Sequence, residues 1–251
     1  MRGLHLPFAA LLVVVAGCTG TLVEMRSGPA TVPDAALVPA GYVHGNTTEV
    51  PLTYPVGVGP VSRDVTVYVW VSGYSRTVTD ASGANATAAL LVVSSPNRKI
   101  ENQSVNPFAQ LSNRGVVAEL FEVVATADNA TGSLVDGVSA DVTEVGRLEE
   151  RGVQNRTVLG RTVEVVTYAA TVRVDTAAVM DVGTATPTTG TESASAAGAT
   201  RTLLVHLMAV EHGDDVVFAM GVHGDDVDEA ETIAALMEAI EHEAAADVDA
   251  A

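Results

Sequence analysis

The chain of 251 residues carries 31 acidic against 13 basic side chains, a formal net charge of −18. That sign excludes a nucleic-acid binder, which needs clustered Lys and Arg against phosphate, and an electrostatic grip on anionic headgroups. An apolar share of 47% excludes a disordered polar chain, and the length leaves room for one domain of about 200 residues with a sizeable core.

Arg2 precedes an apolar run, Leu11-Leu12-Val13-Val14, that closes on Val15-Ala16-Gly17-Cys18. The run is too short to span a bilayer, which takes about 20 apolar residues. Charge, short apolar core and small residues in that order predict a secretory signal over residues 1–17. Cys18 is the only cysteine, so no intramolecular disulfide is possible. Its place directly after Ala16-Gly17 resembles a lipobox, which implies lipidation of Cys18 and a membrane anchor on the extracellular side. Only one arginine precedes the run, so export by the general, unfolded route is expected. Thr19 to Val32 shows no sustained period, and residues 18–32 are expected to be the lipidated cysteine and a tether.

One domain, residues 33–243, should follow. Pro33 to Leu37 predicts a helical turn and Thr47 to Tyr54 a short strand. Arg63 to Val78 predicts a longer strand, with Val65, Val67, Val69 and Val71 on one face by period two. Thr66, Tyr68, Trp70 and Ser72 share the other. The valine face is core. Tyr68 and Trp70 either form a wet aromatic face of the kind that marks a binding surface or lie beneath a helix or loop, since aromatics are mostly buried. Ser82-Gly83-Ala84-Asn85 is a turn, and Ala88 to Ser94 a buried strand. Pro96-Asn97-Arg98-Lys99 ends that strand with a positive cluster too small for a phosphate site. Asn106-Pro107 and then Asn113 are helix-start signals. Val116, Val117, Leu120, Phe121 and Val124 form the stripe of an amphipathic helix over residues 113–125.

Val138 to Arg147, Thr157 to Leu159 and Val163 to Val174 predict strands, with a turn at Gly160-Arg161. Residues 183–199, rich in Thr, Ser, Ala and Gly, predict a flexible loop. Thr202 to His212 and Val216 to His223 predict a hairpin through Gly213-Asp214-Asp215, its first strand apolar on both faces and therefore central. Residues 226–242 predict a second helix. Asp225, Asp226, Asp228 and Glu229 sit at its start, where the dipole favours negative charge, and Ala230, Ile233, Leu236, Met237 and Ile240 form its buried stripe. Residues 244–251 are a small acidic tail. The expected fold is α+β: a mostly antiparallel sheet of about six strands packed with two amphipathic helices.

Ser62-Arg63-Asp64-Val65-Thr66-Val67 with Trp70-Val71, Asn106-Pro107, Val158-Leu159-Gly160, Val210-Glu211-His212-Gly213-Asp214-Asp215 and the closing helix resemble the uncharacterised haloarchaeal lipoproteins grouped as a domain of unknown function. The resemblance covers nearly all of the mature chain and implies no particular activity. Acidity dispersed over Asp64, Glu101, Asp141, Glu164, Asp214 and Glu229, with Lys99 the sole lysine, is similar to the surface of salt-adapted proteins, kept soluble by net charge. The order of elements more loosely resembles PsbP-like and Mog1-like domains, which implies an antiparallel sheet with packed helices and no function.

His206, His212 and His223 are the residues to weigh for metal binding. His206 and His212 lie six residues apart on one strand face, roughly 20 Å, too far for one ion. Only His206 with His223, or His212 with Asp214 and Asp215, are near enough, and zinc takes three or four convergent ligands. Core or turn histidines are therefore expected, with no metal or other cofactor; His206, His223 and Asp214 are the candidates that remain if a metal is bound. The acidic pairs Asp214-Asp215, Asp225-Asp226 and Glu149-Glu150 are expected to be solvated turn and capping residues. Nucleophile elbows and phosphate loops are absent from the sequence. Asn46, Asn85, Asn102, Asn129 and Asn155 each open an Asn-x-Ser/Thr triplet and are possible glycosylation sites. The expected function is a non-catalytic, lipid-anchored extracytoplasmic binding or accessory module whose partner the sequence does not identify. The alternatives are a metal-dependent hydrolase using His206, His223 or Asp214, and a small-ligand carrier with a pocket near Tyr68 and Trp70.

Overall fold

Valine at every second position of an extended chain presents a continuous apolar face that must leave water. In the computed structural model Val65, Val67, Val69 and Val71 are at most 2% exposed, and the strand that carries them is the spine of the sheet. The structure describes residues 23–58, 61–80, 83, 85–97, 99–100, 103–104, 106, 108, 111–113, 115–120, 123, 142–174 and 199–244. In chain order these form β1 (Val23–Arg26), β2 (Ala30–Thr31), α1 (Asp34–Ala40), β3 (Val43–Val58), β4 (Val61–Thr79), β5 (Asn85–Pro96), β6 (Lys99–Ile100) and β7 (Gln103–Ser104). Residues 113, 115–120 and 123 are helical (α2). Then come β8 (Val142–Val158), β9 (Arg161–Val174), β10 (Ala199–His212), β11 (Asp215–Gly224), α3 (Ala230–Glu238) and β12 (Glu241–His242).

The main sheet runs β1-β4-β5-β11-β10-β9-β8, with β3 also paired to β4. Register shows how β4 accommodates three neighbours. β3 pairs with its whole length up to Ser75, while β5 takes Trp70–Thr79 and β1 takes Val65–Tyr68. Each strand has two edges, so β3 holds one and β5 and β1 share the other end to end. All pairings are antiparallel except β1 with β4.

Alternation along these strands builds two cores, one on each face. The first joins Val65, Val67, Val69 and Val71 to Leu91, Val93, Phe218 and Met220, and α2 covers it with Val116, Val117 and Leu120. The second joins Tyr74, Leu90, Val92, Val217 and Ala219 to Leu37 of α1 and to Ile233, Leu236 and Met237 of α3. Gly221 is what lets α3 lie on β11: a Cβ there would overlap Ile233 Cγ2 outright.

The α+β, PsbP/Mog1-like expectation does not hold. Among the described residues the protein is mostly β, with a mixed eight-stranded sheet and three short helices. One reason is strand length. Val142–Arg147 and Thr157–Val158, expected in separate pieces, belong to the single strand β8, because its polar middle is an edge facing water; Glu149 to Asn155 are all exposed, Leu159 is in the turn, and residues 138–141 lie outside the described residues. The other is that α3 stops at Glu238 instead of reaching residue 242. The backbone of Glu241–His242 pairs with β2 instead. β1 and β2 themselves lie in residues 18–32, the expected tether, so residues 23–26 and 30–31 of that stretch are strand. The expected signal (1–17), Cys18, residues 183–198 of the expected loop and residues 245–251 of the expected tail lie outside the described residues.

Candidate functional site

β9, β10 and β11 run side by side, and Val165, Met208, Val210, Val217 and Ala219 from them share one core with Ile233, Leu236 and Met237 of α3. The hairpin turn is Gly213–Asp214, so Asp215 pairs with His212, Gly221 with His206 and His223 with Leu204. The turn takes the first two residues of the expected Gly213-Asp214-Asp215 and Asp215 is the first residue of β11, so His223 lies two residues beyond the position opposite His206, on the same face. The two imidazoles therefore meet diagonally, with Nε2 of His206 2.9 Å from Nε2 of His223. The residues are 4% and 1% exposed.

The rings meet head to head. Their centroids are 5.1 Å apart with planes only 14° from parallel, a separation made of the nitrogen gap plus one ring radius at each end. His223 Nδ1 lies 2.7 Å from the Gly224 carbonyl, which can only accept, so the Nδ1 proton is on His223 and its Nε2 offers a lone pair. His206 Nε2–H then donates to that lone pair, and His206 Nδ1 accepts from Thr167 Oγ1 at 2.9 Å. The result is a directed chain from Thr167 through both rings to Gly224. Burial pushes His206 down to about 4, and the neighbouring His223 adds to this. Burial also lowers His223, against the opposing pull of the Gly224 and Val227 backbone and of Asp228. Both rings are neutral at pH 7. The pair can take one added proton on His206 Nδ1, which reverses the Thr167 link so that Nδ1–H donates to Thr167 Oγ1 and leaves the link between the rings unchanged; a second, on His223 Nε2, would set N–H against N–H.

A shared metal needs two lone pairs converging on a point off the line between the nitrogens, whereas here each nitrogen faces the other. Among the described residues no three His, Cys, Asp or Glu side chains converge as ligands. Asp214 is exposed in the turn at the opposite end of the β10–β11 ladder, its carbonyl accepting from the Asn97 amide at 2.7 Å. The structure thus brings His206 and His223 together and places Asp214 away from them.

A second buried cluster escaped the sequence reading. Asp215, expected to be a solvated turn residue, is 4% exposed. Its Oδ2 accepts from the Gly28 amide at 3.0 Å and lies 3.1 Å from His242 Nε2. The same Nε2 is 3.2 Å from Ser94 Oγ. Ser, His and Asp are together, but not as a catalytic triad, in which the carboxylate and the hydroxyl hold opposite ring nitrogens. Here both contact Nε2, Nδ1 is buried with no hydrogen-bond partner among the described residues, and Ser94 is 0% exposed. Glu229, expected to face the helix dipole in water, is also buried; it forms an ion pair with Arg76 and accepts from Tyr42 Oη at 3.2 Å. Burial pushes the Tyr42 phenol up to about 12, opposed by Arg76. Arg76 also donates to the Ala40 carbonyl at 2.7 Å, so one guanidinium ties β4 to the end of α1 and the start of α3. No local pattern announces these pairs, because their members are far apart in sequence.

Tyr68 and Trp70 are both half-buried. What covers Tyr68 is the Arg26 guanidinium of β1, 3.6 Å from the ring centroid and itself held by Glu49. Asn85 is exposed at the start of β5, Asn155 is exposed on edge strand β8, and Asn46 is half-buried at the irregularity in β3. Asn102 and Asn129 lie outside the described residues. The exposed Glu149 and Glu150 stand within β8, with Glu149 3.3 Å from Arg151. No helix among the described residues is long and apolar enough to cross a membrane.

A family model, Domain of unknown function (DUF6517), matches residues 29–241. No curated protein matches the chain.

Proposed function

The chain belongs to the DUF6517 family of domains of unknown function, and we propose that it is a lipid-anchored extracytoplasmic domain acting as a non-catalytic binding or accessory module at the surface of a salt-adapted cell. The observation that carries this reading is Cys18, the sole cysteine, placed directly after the small residues Ala16-Gly17 at the end of a short apolar run behind Arg2. Net charge supports it: a chain at −18 is repelled by anionic headgroups, so attachment has to come from a lipid. The disposition of the buried ionisable groups supports the non-catalytic part. His206 is engaged with His223, Asp215 with His242, and Glu229 with Arg76, which directs these groups at one another.

Cys18→Ser tests the anchor. Wild type is expected in the membrane fraction of cells lysed at their growth salinity, and the variant in the soluble fraction or the medium. A variant that stays with the membrane overturns the lipoprotein reading.

A further inference from the structure

The β3–β4 ladder outruns the sheet it belongs to. β5 joins β4 only from Trp70 onward, and β1 covers Val65–Tyr68. Beyond that, Pro55–Val58 and Val61–Asp64 have only each other among the described residues. At about 3.3 Å per residue, Val61 stands about 13 Å past Val65 and about 30 Å past Trp70. A two-stranded ribbon of this kind is marginal in water by itself. In a chain of net charge −18, residues 50–62 carry no charged side chain; Arg63 and Asp64 follow.

The direction of β1 says what this arm meets. β1 is parallel to β4, with Val23 beside Val65, so the first residue of β1 is at the arm end of the ladder. Five Cα steps separate Cys18 from Val23, which reach at most about 18 Å. A lipid on Cys18 therefore holds the arm end of the domain against the bilayer and keeps the opposite end of the sheet in water. We infer that the β3–β4 arm, Pro55–Val58 with Val61 and Ser62, is a second membrane contact that lies in the headgroup layer beside the anchor; this rests on the lipoprotein reading of Cys18. Its outer edges carry backbone groups with no strand partner among the described residues, which hydrocarbon does not tolerate, so the arm enters the interface and does not span. Its lack of charge is the property that lets it approach headgroups that repel the rest of the surface.

The test uses the full-length, membrane-anchored protein with one new cysteine at a time, Val58→Cys at the arm or the exposed Thr79→Cys at the other end of the same strand, about 60 Å away. Each is labelled with a thiol-reactive fluorophore and exposed to vesicles whose lipids carry a nitroxide at the headgroup. Quenching several-fold stronger at residue 58 than at residue 79 supports the inference. Equal quenching at the two positions, with wild type still in the membrane fraction, overturns the arm contact and leaves the anchor standing. A residue-58 label that is instead protected by a second copy, shown by disulfide-linked dimers of the unlabelled Val58→Cys protein, overturns it in favour of strand pairing between chains. Wild type found in the soluble fraction overturns both readings.

Discussion

Replacing Gly221 by alanine tests how α3 is seated on the sheet. The added Cβ would overlap Ile233 Cγ2 and sit 3.2 Å from Cδ1 and 3.4 Å from Cβ. Ile233 is 0% exposed and packed against Met237, Leu236 and Ala219 in the second core, so relief requires α3 or β11 to shift. Overpacking of this kind costs about 1–3 kcal/mol. Ile233→Ala removes both offending atoms and leaves only Cβ at ordinary contact distance; alone, it opens a cavity at a cost of about 2–5 kcal/mol. In the double variant the methyl at 221 occupies part of that cavity, so the combined loss should fall short of the sum by at least about 1 kcal/mol. Denaturant unfolding of the four proteins at one fixed salt concentration measures the difference. Losses that add to within about 0.5 kcal/mol refute the direct packing of Ile233 on Gly221.

The histidine pair predicts a pH dependence. His206 titrates at 6.5 when unfolded and at about 4 when folded. Between those values the unfolded chain binds a proton that the folded chain does not, so stability falls as pH drops through 6.5 and levels off below 4, by about 3 kcal/mol in total. His206→Gln should flatten this part of the curve; a variant as steep as wild type refutes the assignment. Nitrogen-15 NMR at neutral pH should find the proton on Nδ1 of His223 and Nε2 of His206, and the opposite tautomers would refute the directed chain. Arg76→Met should cost about 3 kcal/mol, at the low end for a buried pair because the Arg76 side chain is 26% exposed. A loss below about 1 kcal/mol in equilibrium unfolding would show that Glu229 does not depend on it.

Much of the local structure was legible. The alternation from Val65 to Val71 announced a strand with one buried face, and the Gly213-Asp214-Asp215 signal placed the β10–β11 hairpin to within a residue. Val116, Val117 and Leu120 reached the core as their helical spacing required. The misreadings share a cause. Val23–Arg26 and Ala30–Thr31 have no period because their order comes from β4 and β12, not from themselves. Asp215 and Glu229 looked solvated because acidic residues usually are; the partners that make their burial tolerable, Gly28 with His242 and Arg76 with Tyr42, are distant in the chain.

The sequence by itself determined the sign of the surface, the strand-rich composition, the main hairpin and the residues that must leave water, because charge and apolar period are properties of neighbouring residues. Only the tertiary structure decided that His206 faces His223, that Val23–Arg26 of the expected tether joins the sheet, and that Val23 lies at the arm end of the β3–β4 ladder. Each of these depends on which strand pairs with which and in what register. Register is set by the summed burial of both faces and by the turns, and no single stretch of the chain carries that sum.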